Sequence, residues 1–293
     1  MIPRALEVAV VHHRTPTMLA RCLEALARHA PDVDVRVVDT AFDPSLPRQL
    51  DGIHPRVTWT AAPNHSLAAA VNAALRLSRK PFLVHMNADV FVAPRTLADL
   101  LAAALADERI AMAGPLARTP AGHAQDLGVP YRLHYARLRW QERHAGGEAA
   151  AVDVPWLSGC MQLVRMSAVR RVGGMDASLR FYNEDLDWSL RLRRAGFGLR
   201  LVATEVVHEG GASTPSGTRF LLEGLRGGFV VSRRYTPPVV RAAHRLGVLA
   251  AAEIASRTAS DDDARTAWRE VACRFRAGEL ERSAFGPTLS DPS

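Results

Sequence analysis

Polar side chains close apolar runs at three separate places in the sequence. The run FLVHMNADVF is broken by Asn87 and Asp89. The run VRVVD ends on Asp39, and VVHEGG has His208 at the end of its apolar part. Aspartate commonly begins a turn, and a lone histidine is more often structural than a ligand. Two acids at the ends of strands in one small sheet nevertheless favour a ligand site.

A cluster of acids follows in the stretch FYNEDLDWSLRLRRAG. Glu184, Asp185 and Asp187 fall in the first turn of a predicted helix, with Asn183 at its N-cap. Acids near a helix N-terminus are stabilised by the helix dipole, by roughly 0.3–1 kcal/mol each. Capping alone therefore accounts for these acids, but it does not account for the histidine at the end of the later strand.

The first half of the chain alternates strand-like with helix-like patterns. Strands are predicted over residues 6–11, 33–39, 56–62, 81–87 and 109–114, and helices over 15–30, 66–78 and 95–106. This order is typical of an α/β fold with a mostly parallel central sheet flanked by helices. Ligands bind beyond the carboxyl ends of the strands in such a sheet. The polar strand ends are therefore placed where a ligand binds.

Residues 115–155 have no sustained period and carry scattered glycine, proline, histidine and arginine. We predict an irregular or mobile segment there, either a lid over the ligand site or an ordinary insertion. Beyond it, a strand and a helix are predicted over 156–174, a helix over 184–195, a strand over 198–203 and helices in the final third. These elements divide the chain into a domain over 1–215 and a helical extension over 216–293.

Composition excludes several classes of protein. With 293 residues and 48% hydrophobic content, the chain buries a large core, which excludes disorder throughout. Cys22, Cys160 and Cys273 lie far apart, which fits neither a disulfide framework nor a zinc knuckle and favours a reducing cytoplasm. We find neither a secretory signal pattern nor a stretch of 18 uncharged apolar residues. We therefore expect a cytoplasmic protein that does not span a membrane.

The chain is strongly basic, with a formal net charge of +7 and a pI near 10.1. Such a charge attracts phosphorylated substrates, nucleic acid or anionic membrane surfaces. The arginines are spread along the chain, and the sequence carries no zinc finger, RNP-like aromatic strand or basic zipper. Nucleic acid is therefore not an expected partner.

An ordered set of motifs resembles the inverting family 2 glycosyltransferases of the GT-A fold, particularly their rhamnosyltransferase-like members. VAVVHHRTPTMLARCLEAL resembles the family's opening strand and helix, and VRVVDTAFDPS resembles its nucleotide-binding strand. PNHSLAAAVNAAL is similar to its asparagine-bounded helix segment. HMNADV stands at the place of the metal-binding D-x-D motif, WLSGCMQLVRMSAVRRVGGMD precedes the catalytic helix, and YNEDLDWSLRLRRAG carries the Glu-Asp pair. The similarity covers about residues 6–235, and the ordered set is far more specific than any single motif.

The resemblance implies a reaction and the residues that carry it. A sugar, with rhamnose or a related deoxysugar as the leading choice, moves from a dTDP- or UDP-sugar to a hydroxyl of a glycan, lipid-linked or small-molecule acceptor, with inversion. Asp185 is implied as the general base. Glu184 is implied either to shape the acceptor pocket or to orient Asp185. The residues implied to contact the donor nucleotide are Thr15, Asp39, Asn64, Asn72 and Asn87.

The resemblance also implies a Mg²⁺ or Mn²⁺ cofactor that bridges the donor diphosphate. Asp89 is its implied ligand, and His208 helps to hold the metal or the diphosphate. The first carboxylate of the D-x-D motif is replaced by Asn87, a weaker neutral ligand, which leaves strict metal dependence open. A second departure is Ser66, which stands where relatives often carry glycine.

Two other functions stay open. A catalytically silent GT-A-like module could bind a nucleotide or anchor partner proteins at a membrane, and Asn87 is the residue that favours it. A nucleotidyltransferase shares a similar sheet and metal site, but it needs a glycine-rich phosphate loop and a catalytic Lys or Arg after the first strand. This chain has HHRTP there, with Arg14 as the available cation.

The segment 218–255 mixes apolar residues with six arginines, Arg219, Arg226, Arg233, Arg234, Arg241 and Arg245. An apolar face rimmed by arginine suits a helix that lies on anionic lipid at the inner face of the cell membrane. A lipid-linked acceptor would be delivered at the same surface. The alternative is that this face packs on the first domain or on a second subunit of a homo-oligomer, and both remain open. Glu253 and the shortness of LGVLAAAEIA exclude a spanning helix.

Overall fold

The computed structural model describes residues 2–125, 136, 150–210 and 217–286. Its strands are β1 Leu6–His12, β2 Asp34–Asp39, β3 Val57–Ala61, β4 Phe82–Asn87, β5 Val90–Val92, β6 Ile110–Arg118, β7 Ala151–Asp153, β8 Met161–Arg165 and β9 Gly198–His208. The helices among the strands are α1 Ile2–Ala5, α2 Pro16–His29, α3 Leu46–Gln49, α4 Leu67–Leu77, α5 Thr96–Leu105, α6 Met166–Val172 and α7 Glu184–Arg194. Three C-terminal helices follow, α8 Thr218–Tyr235, α9 Pro238–Thr258 and α10 Asp262–Arg276.

The strands form one mixed sheet in the order β3-β2-β1-β4-β8-β6-β9-β5, with β7 paired to β9 outside this path. The half from β3 to β4 is parallel, as the alternating pattern predicts. In the other half β8 runs antiparallel to both β4 and β6, β6 is parallel to β9, and β5 and β7 are antiparallel to β9. The predicted α/β class with a helix-flanked sheet is confirmed.

Helices cover both faces of the sheet, so the central strands are apolar on both sides. In β1, Val8 and Val10 belong to one core cluster, which also holds the buried leucines of α2 and α5. Ala9 points to the opposite face and belongs to a second cluster with residues of α4, α6 and α7, including Trp188. This alternation follows the two-residue period of a strand. The sheet is therefore a rigid frame whose carboxyl edge carries the polar strand ends.

The prediction of an irregular segment over 115–155 is wrong at both of its ends. Strand β6 continues to Arg118, and β7 covers Ala151–Asp153. The reason at the first end is Pro115, which cannot donate to the ladder and which the structure accommodates with a register shift between Gly114 and Leu116. Residues 126–135 and 137–149, where a lid is predicted, lie outside the described residues, as does the predicted domain boundary at residue 215.

The final third is helical, as predicted, and α8 joins it to the sheet. Val230 and Val231 of α8 are buried against Leu179, with Leu186 and Leu190 of α7 packed around them. The outer side of α8 forms a separate core with α9 and α10 that is built from Leu222, Phe229, Ala252, Val271, Ala272 and Leu280. The apolar side of α8 is therefore buried within the protein.

The arginines predicted to rim a free apolar face are in part engaged inside the protein. Arg226 is buried and pairs with Glu223, Arg234 pairs with Asp176 and Asp187, and both Arg233 and Arg245 pair with Glu281. An exposed apolar surface remains on α9, where Val239, Val240, Leu246 and Ile254 are 74%, 48%, 65% and 62% exposed. Within the described ranges, none of the helices is both long enough and apolar enough to cross a bilayer.

Candidate active site

Four polar residues lie at or beside the carboxyl ends of the parallel strands, and three of them, Asp39, Asn64 and Asn87, are predicted from the sequence. The register places His12 opposite Asp39 and Val11 opposite Asn87. Asn64 follows β3 and approaches His13, which follows β1, with 3.4 Å between Asn64 Nδ2 and His13 Nε2. We call His12, Asp39, Asn64 and Asn87 the strand-end cluster. Parallel pairing alone brings its members to one edge of the sheet.

The Asp39 carboxylate is held by three hydrogen bonds. Its Oδ1 accepts from the backbone N–H of Ala41 at 2.9 Å and lies 3.1 Å from His12 Nδ1, and its Oδ2 accepts from the N–H of Asp43 at 2.8 Å. His12 Nε2 accepts from the Thr15 N–H at 3.0 Å, so the imidazole proton is on Nδ1 and is donated to Asp39. Each carboxylate oxygen accepts about two hydrogen bonds. One acceptor position on Oδ2 is therefore left for a ligand.

A line of neutral groups lies beside Asp39. Asn64 Nδ2 faces His13 Nε2, His13 Nδ1 lies 3.0 Å from Thr40 Oγ1, and the Thr40 hydroxyl donates to the His12 carbonyl at 2.9 Å. Burial lowers the pKa of His13, with Arg14 and His12 acting in the same direction. The imidazole is therefore neutral at pH 7, and it links the end of β1 to the loops after β2 and β3.

Asp89 and His208 are brought together by the pairing of β5 with β9. Val90 lies opposite His208, and the Glu209 N–H donates to the Asp89 carbonyl at 3.0 Å. The Asp89 side chain is buried, and its Oδ1 lies 3.4 Å from His208 Nε2. On the other side of the ring, His208 Nδ1 lies 2.9 Å from Gln125 Oε1, an acceptor that places a proton on Nδ1.

Asp185 lies at the start of α7, where two backbone groups hold its carboxylate. Oδ2 accepts from the Gly159 N–H at 2.8 Å, and Oδ1 accepts from the Leu186 N–H at 2.7 Å. The next residue, Cys160, accepts from the Asn87 N–H at 2.9 Å. The Gly159–Cys160 pair therefore connects the base candidate directly to the strand-end cluster. Burial raises the pKa of Asp185, although these N–H groups oppose the rise.

Glu184 is buried beside Asp185 and has an unusual environment for a carboxyl group. None of the described residues forms a hydrogen bond to its Oε2. Burial, together with the negative charge of Asp185, raises the pKa of Glu184 to about 8. Glu184 is thus largely protonated at neutral pH, which leaves the negative charge of the pair on Asp185.

More than half of the sequence matches a known family. The model described as glycosyl transferase family 2 matches residues 7–173, more than half of the chain. The chain belongs to this family. The family 2 chain is 33% identical over 148 residues to the N-acetylglucosaminyl-diphospho-decaprenol L-rhamnosyltransferase of two Mycobacterium tuberculosis strains. That alignment covers 45% of this chain and 48% of the relative, so the chain spans about half the length of the curated relatives it matches.

Solved structures share the fold. GalNAc-T7 with UDP, GalNAc and Mn²⁺ has a TM-score of 0.60 at 15% identity, covering 95% of this chain and 55% of its own. The mannosyltransferase PcManGT from Pyrobaculum calidifontis, in complex with GDP-Man and Mn²⁺, has a TM-score of 0.59 at 20% identity and covers 96% and 84%. S. aureus TarS has a TM-score of 0.54 at 13% identity, with 87% and 44% covered. The predicted GT-A fold and the resemblance to rhamnosyltransferase-like family 2 members are confirmed.

The implied metal fits this family 2 site as a partial ligand set. Within the described ranges, no group of three or more His, Cys, Asp and Glu side chains could hold a metal ion. Mg²⁺ is usually bound by one or two carboxylates together with substrate phosphates and water, and Mn²⁺ accepts carboxylate and imidazole. Asp89 and His208 would supply one of each, and diphosphate oxygens and water would complete the shell.

The protonation of His208 matters for this fit. Burial lowers the pKa of His208, but Asp89, with a further contribution from Cys160, raises it by more. Without a metal, the pKa of the imidazole therefore lies above its ordinary value. A metal bound at Nε2 has to displace that proton. The hydrogen bond from Nδ1 to Gln125 stays compatible with such a ligand, because it leaves Nε2 for the metal.

Asn72 is the implied donor contact that the structure places in a different setting. Its amide is buried between α4 and the loop before α7, where Nδ2 donates to the Met175 carbonyl at 2.8 Å and Oδ1 accepts from the Met175 N–H at 2.9 Å. A Cβ atom on Gly174 would lie 2.1 Å from Asn72 Oδ1. Asn72 therefore clasps two segments of this family 2 protein, and we assign it a supporting role.

Sequence reasoning missed three residues of the site. His12 orients Asp39, Gly159 donates to Asp185, and Gln125 fixes the His208 tautomer. His12 closes an apolar run as Asp39 does, so the same strand-end pattern could have identified it. Gly159 and Gln125 carry no such local signal, since their partners lie far away along the chain.

Proposed function

We propose that the protein is an inverting glycosyltransferase that moves a sugar from a nucleoside diphosphate sugar to an acceptor hydroxyl, with Asp185 as the general base. The observation that carries this proposal is the hydrogen-bonded connection from Asn87 through Cys160 and Gly159 to Asp185. It supports the proposal because it brings a carboxylate that can act as a base close to the strand ends, where we expect the donor to bind.

The strand-end cluster binds the nucleotide. The open acceptor position on Asp39 Oδ2 takes an N–H of the base or a hydroxyl of the ribose. Thr15, which donates to His12, and Asn64, which lies beside His13, are the further donor contacts that we propose. Asp89 and His208 are the residues that would hold Mg²⁺ or Mn²⁺ near the diphosphate end of the donor, with Asn87 close by in the chain. The cation, when bound, neutralises the negative charge that develops on the leaving diphosphate.

Asp185 acts on the opposite side of the sugar. The acceptor oxygen attacks the anomeric carbon and gives its proton to the Asp185 carboxylate, while the bond from that carbon to the diphosphate oxygen breaks and its electron pair leaves with the diphosphate. Attack opposite the leaving group inverts the anomeric centre. The raised pKa of Asp185 makes it a stronger base, and neutral Glu184 preserves the single charge on the pair.

We further propose a dTDP-deoxysugar, with rhamnose as the first candidate, as donor, and a lipid-linked sugar as acceptor. The Mycobacterium tuberculosis relative is described as an L-rhamnosyltransferase of N-acetylglucosaminyl-diphospho-decaprenol, and it supports this choice over the aligned half. UDP-sugars remain the second donor class.

The exposed face of α9 suits a bilayer that carries such an acceptor. Val239, Leu246 and Ile254 recur at helical spacing, and the residues between them on this face, Ala243, Gly247 and Ala250, are small, exposed and uncharged. The net charge of +7 favours an anionic surface. We propose that α9 rests on the cytoplasmic leaflet, with dimerisation through the same face as the competing outcome.

Vesicle binding tests the α9 proposal. Co-sedimentation with phosphatidylcholine vesicles, with and without phosphatidylglycerol, is compared for the wild type and Leu246→Glu. Leu105→Glu is the control, because Leu105 is an exposed leucine as well, with 50% of its surface accessible, but lies on α5. We expect Leu246→Glu alone to lose binding. The opposite result is a wild type that does not bind vesicles and is a dimer by light scattering, while Leu246→Glu is a monomer. That result would show that α9 is a contact between subunits.

Thermal shift with dTDP, UDP, GDP and their sugars, with and without Mn²⁺, tests the function itself. A ligand at 100 times its Kd stabilises the folded state by about 2.7 kcal/mol. We expect dTDP or UDP compounds to raise Tm only with metal, and Asp89→Ala to lose the effect. Binding without any sugar transfer would favour the silent module, and stabilisation by nucleoside triphosphates with sugar phosphates would favour a nucleotidyltransferase.

A further inference from the structure

The turn that leads into the base candidate has a backbone conformation that L-residues rarely adopt. Tyr182 and Asn183 have φ values of +65° and +70°, in the left-handed region, and Glu184 and Asp185 follow directly. Two consecutive non-glycine residues in this region persist only where surrounding contacts hold them. The position of Asp185 therefore depends on whatever braces residues 182–185, which we call the base turn.

Helix α8 supplies that brace through two glycines. The carbonyl of Gly224 accepts from Asn183 Nδ2 at 2.9 Å. A Cβ atom on Gly227 would lie 2.7 Å from Asn183 Nδ2 and 3.0 Å from the Tyr182 carbonyl oxygen, and one on Gly224 would lie 3.3 Å from the Tyr182 ring. The helix and the base turn are thus in contact at a distance that only glycine permits at position 227.

The helix is fixed on both sides of this contact, so it cannot easily move away. Towards its C-terminal end, Arg234 and Tyr235 donate to Asp187 Oδ1 at 2.9 and 2.8 Å, one turn into α7. Beside the contact, Arg226 donates to the Ser178 carbonyl at 2.5 Å. Asp187 is fully buried, and Arg191 donates to its other oxygen. A side chain at position 227 would therefore displace the base turn more readily than the helix.

We propose that α8 positions the general base, with Gly227 as a positioning residue for Asp185. The helix receives the left-handed base turn on its glycine face and thereby sets where α7 begins and where the Asp185 carboxylate lies. The C-terminal extension is then part of the catalytic apparatus, whatever surface α9 contacts. This inference rests on the proposed role of Asp185 as the base.

The test compares Gly227→Ala with Gly228→Ala, which changes the adjacent residue of the same helix. A Cβ atom on Gly228 meets only His244 Cε1 at 3.9 Å, an ordinary contact. Both variants make the same chemical change and give alanine its advantage in a helix, so they differ only in the contact with the base turn. Transfer is assayed with dTDP-rhamnose and an N-acetylglucosaminyl-diphospho-lipid, and nucleotide binding by the thermal shift that dTDP and Mn²⁺ produce.

We expect Gly227→Ala to lose at least tenfold in kcat while the dTDP-induced shift stays at the wild-type value, and Gly228→Ala to match the wild type in both. Wild-type kcat in a folded Gly227→Ala overturns the inference. If Gly227→Ala does not fold, Gly224→Ala decides, because its new Cβ meets only the movable Tyr182 ring: a reduced kcat supports the brace and a normal one overturns it. Asp185→Asn, run alongside, separates the two levels, since an active Asp185→Asn refutes the base itself.

Discussion

The strand-end cluster and the base turn serve one reaction but are built in different ways. The register of adjacent parallel strands determines the positions of the cluster residues, which lie at or just after the ends of regular strands. The base turn has two left-handed residues and rests against α8, about 40 residues further along the chain. A local change in the cluster should therefore weaken donor binding, whereas changes around the base turn should slow turnover with binding intact.

The largest effect is expected from Asp185→Asn, which keeps the shape of the side chain and removes its basicity. General-base catalysis contributes roughly 10²- to 10⁴-fold, so we expect kcat to fall by that factor with an unchanged Kd for dTDP. Single-turnover assays and calorimetric titration measure the two quantities. Asp153→Asn is the control, since the Asp153 side chain is 77% exposed.

A loss of dTDP affinity equal to the loss of kcat would break the comparison between the two regions. It would mean that Asp185 holds the donor and that the base is another group.

We expect substitutions at the proposed metal site to lower the Mn²⁺ affinity by different amounts. His208→Ala should lose more affinity than Gln125→Ala. His208 is the implied ligand, whereas Gln125 only accepts its Nδ1–H at 2.9 Å. Removing the hydrogen-bond partner of a metal ligand usually lowers the metal affinity 10- to 100-fold. We expect about a tenfold loss of Mn²⁺ affinity for Gln125→Ala. Mn²⁺ titration followed by electron paramagnetic resonance, with dTDP present, measures this without turnover. Equal affinity in all three proteins would remove His208 from the metal site.

The buried pair should also give the protein a pH-dependent stability. Glu184 has an ordinary pKa of 4.5 when unfolded and about 8 when folded. Between these values the folded state holds a proton that the unfolded state has lost, so stability falls as pH rises through this window. In Glu184→Gln this fall should be smaller, and its Tm should exceed that of the wild type by about 5 °C at pH 8.5.

The control for this prediction is Glu108→Gln, which removes an exposed glutamate. Thermal unfolding of all three proteins between pH 5 and 8.5 gives the slopes. Parallel slopes for the wild type and Glu184→Gln would show that Glu184 is ionised in the folded state.

The sequence predicts the strand-end cluster well because that part of the site depends on local pattern. The apolar runs that close on Asp39 and Asn87 can be read from the sequence, and parallel pairing of their strands with β1 brings the two residues to one edge of the sheet. The base turn is different, since neither the left-handed conformation of Tyr182 nor its contact with Gly227 has a local signal. The same limit applies to Asn72, whose hydrogen-bond partner Met175 lies 103 residues away in the chain.

The smallest effect, and the sharpest test of the cluster, is expected from His12. The imidazole donates one of three hydrogen bonds to Asp39, and a typical hydrogen bond contributes about 0.5–1.5 kcal/mol. His12→Ala should therefore raise the Kd for dTDP about 3- to 10-fold and leave kcat at saturating donor unchanged. His12→Asn, which keeps a donor near the position of Nδ1, should recover most of the affinity. If His12→Ala instead lowers kcat and spares binding, the strand ends also position the reacting groups, and the division between the two regions fails at its simplest point.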